Sequence, residues 1–144
     1  MIKQDIYIRK YGWKIIVFYI VNDIDIKAIL KELINIDCDI ESFINIYYRI
    51  NHFNYNEGIT YTNQDTKDTI VIIFPSTSPE ELSDTINHEK GHCLAHISET
   101  LNINPFGEEI QYINGYISKK VFKESRKLLY GCEKLNQDLF SIRQ

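Results

Sequence analysis

The chain reads Ile15-Ile16-Val17-Phe18-Tyr19-Ile20-Val21 without a polar residue. A strand with one face in water alternates apolar with polar. An unbroken run of β-branched and aromatic residues instead needs apolar cover on both faces. This segment is therefore expected to be a central strand of a sheet covered on both sides, which already excludes a one-layer or purely helical fold. The preceding run around Ile6 and Ile8, separated from it by Tyr11-Gly12, reads as a hairpin partner or as the first half of a bent strand. Asn22-Asp23 ends the run. It is far too short to cross a bilayer, and no small-residue cleavage site follows it, so a cytoplasmic protein without a membrane anchor is expected.

The grammar then alternates. From about residue 24 to 50 the apolar positions take helical spacing, first Ile26, Ile29, Leu30 and Leu33, then Ile40, Phe43, Ile44 and Tyr47. The polar stretch Asn51 to Gly58 reads as a loop carrying His52. Ile59 to Asn63 and Thr69 to Phe74 read as two short strands, the second of them an edge along which an extended peptide could pair. Ser78 as N-cap, Pro79 at the first helical position and Glu81 in a capping box then open the most clearly delimited helix, which ends near Asn102-Ile103-Asn104-Pro105. A last helix is expected from Gly107 to Tyr130, with Ile110, Ile113, Ile117 and Val121 on its apolar side and Gly131 as its stop.

The pattern is α+β, and 144 residues without a linker of biased composition suit one domain. Residues 1–77 would supply the sheet and N-terminal helices, and residues 78–131 the helices of a candidate site. A net charge of −4 and no long basic stripe argue against a surface for nucleic acid. The locally basic Lys119 to Lys127 segment reads as a solvated helix face. Cys38, Cys93 and Cys132 are odd in number and widely spaced, as reduced thiols would be, and Cys93 reads as a small buried hydrophobe.

Chemistry concentrates in Thr85 to Thr100, where three of the four histidines fall. His88 and His92 are four apart, so on a helix both imidazoles share a face and can converge on one zinc ion. Glu89, turned by about 100°, is not an equivalent ligand but can take a proton from a water held at the metal. It projects near the edge of the stripe formed by Leu82, Ile86, Cys93 and Ile97, where an unpaired carboxylate is costly. Lys90 falls inside that apolar arc, and Gly91 weakens the helix, as a close neighbour would require. A third ligand six residues after the pattern is closed off, because that position is Ser98 and the only methionine is Met1. A glutamate from the next helix remains, Glu108 first and Glu109 second. Tyr112 and Gly115 share the Glu108 face, and Tyr112 or Tyr116 could stabilise an oxyanion. His96 could form an alternative pair with His92, support the site from behind or contact substrate.

The segment from Ser78 through Ile117, with Gly58 to Phe74 upstream, resembles small zinc metallopeptidases of the His-Glu-x-x-His type encoded by phages and mobile elements of gut bacteria. The resemblance covers roughly Gly58 to Val121. In such proteins an E-x-x-x-Y-x-x-G pattern follows the zinc helix, and Glu108, Tyr112 and Gly115 match it. Lys90 departs from an expected apolar residue, and Tyr112 stands where thermolysin-like sites have an aspartate. The resemblance implies a zincin-like fold and a peptide or protein substrate. A phage structural or binding protein that keeps the fold without turnover, and meets other virion proteins, is the alternative.

Overall fold

A computed structural model of the protein describes residues 1–142, and the side chains of residues 1–128. Its elements are β1 (Ile2–Ile8), β2 (Trp13–Tyr19), α1 (Ile26–Asn35), α2 (Ile40–Asn51), β3 (Gly58–Asn63), β4 (Asp68–Ile73), α3 (Pro79–Leu101) and α4 (Glu108–Ile142), with one 3-10 turn at Arg9–Tyr11. The chain is thus a mixed α+β protein with a four-stranded sheet in the order β1-β2-β4-β3. β1 and β2 form an antiparallel hairpin whose turn uses Gly12 in the left-handed region, at φ 63°. β2 and β4 run parallel, and β3 returns antiparallel to β4.

Period-two alternation in β2 explains why its run is unbroken. Ile15, Val17 and Tyr19 join one core with Val71 and Ile73 of β4, Cys93 and Ile97 of α3, and Ile110, Ile113 and Ile117 of α4. Ile16, Phe18 and Ile20 join another with Ile70 and Ile72, Ile29 and Leu33 of α1, and Ile46 and Ile50 of α2. Helices therefore cover both faces, as the composition of β2 requires.

The same reasoning corrects the expected edge. Thr69 to Ile73 is paired on both sides, so β4 is central, and the edge beside α3 is β3. The sign was present in the sequence: Ile70-Val71-Ile72-Ile73 does not alternate, whereas Thr60-Tyr61-Thr62 is half polar. The last helix also differs from expectation, since it passes Gly131 and continues to Ile142. A lone glycine lowers helix stability without ending a helix. Among the described residues no helix is long and apolar enough to cross a membrane. The side chain of Cys132 lies outside the described ones.

α3 begins as its sequence indicates, with Ser78 Oγ accepting from Glu81 N–H at 3.1 Å and Pro79 at the start. It ends at Asn102, which adopts the left-handed conformation at φ 53°. Lys90 is accounted for: its stem crosses toward α4 and its Nζ donates to Ser118 Oγ at 2.9 Å. Gly91 has no close neighbour, because a Cβ built there meets nothing within 4 Å, and the same holds for Gly115. Neither glycine serves close packing. Gly91→Ala is therefore expected to stabilise the protein by about 1 kcal/mol, a rise of about 3 °C in thermal denaturation. An unchanged or lower midpoint would contradict the free space seen at this position.

Candidate metal centre

One turn of α3 separates His88 and His92, and both side chains are exposed. Their Nε2 atoms approach to 3.1 Å, with ring centroids 4.8 Å apart and planes at 79°. Two identical donor atoms thus point at one place, where they can share a proton or an ion. Zinc bonds imidazole nitrogen at about 2.05 Å, so His88 and His92 could both hold one ion. The donor chemistry fits a divalent transition ion at two positions.

Glu89 lies between them in sequence but on the sheet side of the helix. It is 5% exposed, and its Oε2 accepts from Thr60 Oγ1 of the edge strand at 2.5 Å. The same hydroxyl lies 3.2 Å from the Glu89 carbonyl oxygen. Gly58 makes the approach possible: a Cβ there would stand 2.7 Å from Glu89 Cγ and 2.9 Å from the Ile72 carbonyl oxygen. The buried carboxylate expected from the helical wheel is therefore satisfied by strand β3. An open cleft of about 300 Å³ adjoins it, lined by His88 and Glu89 together with Arg49, Glu57 and Asp84.

His96 is held elsewhere. Its Nδ1 lies 2.8 Å from Thr62 Oγ1, which lies 2.9 Å from Thr69 Oγ1, and Thr69 accepts from Trp13 Nε1 at 3.0 Å. This chain of polar groups ties α3 to the interior of the sheet. Burial, and next the neighbouring His92, push the His96 pKa below its ordinary value. Cys93 is 1% exposed, and burial pushes its thiol up to about 12, as suits a packing residue. His52 caps α2, stacked on Tyr48.

Glu108 is not brought to the histidine pair. α3 continues nine residues beyond His92 to Leu101, about 14 Å along its axis, before the chain turns. Glu108 therefore starts α4 at that far end, ten residues before the Ser118 that meets Lys90. α4 also packs on β1, whereas α3 packs on β3, so the two helices flank different parts of the sheet. Glu109, the second choice, bonds Tyr11 and lies 3.8 Å from Lys10. Tyr112 is 75% exposed, and the Tyr116 hydroxyl donates to the Tyr7 carbonyl oxygen at 2.8 Å. Among the described residues, no group of three or more His, Cys, Asp or Glu is placed to hold an ion.

The residues that sequence reasoning missed are Gly58, Thr60 and Arg49. Thr60 stands 29 positions from Glu89, and nothing in its local sequence marks it. Only the glycine opening an otherwise β-rich run carried a signal, that of a close approach. Comparison with models of known protein families, with curated protein sequences and with solved structures finds no match.

Proposed function

We propose that this protein is a zinc-dependent peptidase with a zincin-like arrangement, in which helix α3 presents His88 and His92 to the metal and Glu89 to the attacking water. The observation that carries the reading is the 3.1 Å convergence of the two Nε2 atoms, with Glu89 held against the edge strand one residue from His88. When bound, the ion supplies Lewis acidity that makes a water nucleophilic near neutral pH.

The chain's own groups supply the rest. Thr60 engages one oxygen of Glu89 and leaves the other, Oε1, to accept the water's proton and return it to the leaving amine. The outer edge of β3 offers backbone groups to an extended peptide, so the substrate would lie across the mouth of the cleft. Peptide hydrolysis should therefore disappear on chelation and return on addition of zinc. A mixed peptide library, analysed by mass spectrometry before and after metal restoration, tests this. Cleavage that survives chelation would contradict the reading.

A second reading, a phage or mobile-element binding protein that holds metal without turnover, is favoured by one observation. Ile40, Ile44, Tyr47 and Tyr48 form an exposed apolar stripe on α2. Metal retention with no cleavage of any library peptide would decide for it.

A further inference from the structure

The cleft beside His88 and Glu89 contains a cation that the proposed reaction does not use. Arg49 is half-buried in the last turn of α2, and its Nη2 donates to the Gly58 carbonyl oxygen at 3.0 Å. Among the described residues this is the guanidinium's one hydrogen bond, and it joins none of their ion pairs. A guanidinium has five N–H donors, so four remain for solvent or ligand.

Strand geometry indicates what reaches it. Glu57 accepts from Phe74 N–H at 3.0 Å, so its backbone faces β4. Alternation then turns the backbone groups of Gly58, Thr60 and Thr62 to the free edge. Arg49 already occupies the Gly58 carbonyl, which closes that end of the edge to further pairing. An extended peptide pairing antiparallel to β3, the commoner geometry, enters at Thr62 and brings its C-terminal side to Gly58. Glu89 meets β3 at Gly58 and Thr60, so the reacting bond would lie near Thr60 and Arg49 just beyond it on the C-terminal side.

We propose that Arg49 is a specificity-determining residue that takes a substrate carboxylate immediately C-terminal to the scissile bond. The carboxylate is either the peptide's own terminus or an acidic side chain. The inference rests on the peptidase reading for its polarity. Glu57 and Asp84 also line the cleft, so an anion is accepted only within reach of the guanidinium and repelled elsewhere.

The test follows the side-chain Nε–H resonance of Arg49 in the zinc-loaded full chain, identified by its loss in Arg49→Lys. Three probes are titrated: N-acetyl-tetra-alanine as the free acid, the same peptide as its amide, and N-acetyl-Ala-Ala-Glu-amide. A shift with the free acid but not the neutral amide assigns the terminal carboxylate, and a shift with the glutamyl amide assigns the side chain. Arg49→Met should weaken the responding peptide about 10- to 100-fold and leave the neutral amide unaffected. An equal response to the neutral amide, or no response to any probe, overturns the inference. Cleavage of a peptide library is read separately. Metal-dependent cleavage indifferent to carboxylates overturns this inference alone, whereas an Arg49 response without cleavage overturns the peptidase reading and leaves the carboxylate site standing.

Discussion

On the proposed peptidase reading, replacing Glu89 with glutamine should lower metal-dependent peptide hydrolysis about 10²- to 10⁴-fold while fold and metal content stay as in the wild type. The substitution is close to isosteric. The amide oxygen of Gln can still accept from Thr60 Oγ1, which lies 2.5 Å from Glu89 Oε2, and the side chain still fits against Gly58. What it loses is the ability to take a proton from water. Turnover, metal content and a denaturation midpoint measured on the same preparation separate chemistry from packing. If turnover persisted near the wild-type rate, Glu89 would be a carboxylate buried for contact with β3 and nothing more.

The second large effect is expected at Gly58, through structure instead of chemistry. A Cβ there stands 2.7 Å from Glu89 Cγ and 2.9 Å from the carbonyl oxygen of Ile72. The first contact could be relieved by turning the glutamate away, but the second is backbone in the central strand β4 and cannot yield cheaply. Gly58→Ala should therefore destabilise the protein by about 1–3 kcal/mol and displace Glu89 from Thr60, so hydrolysis falls with stability. Gly91→Ala, a chemically identical change on the exposed side of α3, should act in the opposite direction. Chemical denaturation of the two variants side by side gives the comparison. Equal midpoints would mean that the approach of α3 to β3 is looser than the structure has it.

Parts of the molecule differ in how far the sequence reports them. Element identity was legible because it is local: β2 announces its two-sided burial in seven consecutive residues, and α3 its start in Ser78 and Pro79. The inward turn of Glu89 was legible too, since a helical wheel needs only the 100° step. That β4 is central and β3 an edge could be read from their composition, but which strands flank β4 could not, because those pairings are made across the whole chain. The partner of Glu89 was hidden for the same reason. Glu108 shows a related limit: sixteen residues after His92 looked sufficient for a neighbouring helix to return, but the distance is consumed by the continuation of α3 to Leu101. Sequence separation counts residues, whereas convergence depends on where the helix ends.

The proposed metal-binding core of α3 is the pair His88 and His92. It is tested most directly by elemental mass spectrometry of untagged protein purified without chelators, beside the His88→Ala/His92→Ala double variant. Both histidines are exposed, so the double variant should fold, which circular dichroism would verify. About one zinc per wild-type chain and none in the variant is expected when the two nitrogens anchor the ion. Wild-type protein that stays metal-free after zinc addition, or a folded variant that retains the full complement, would contradict it.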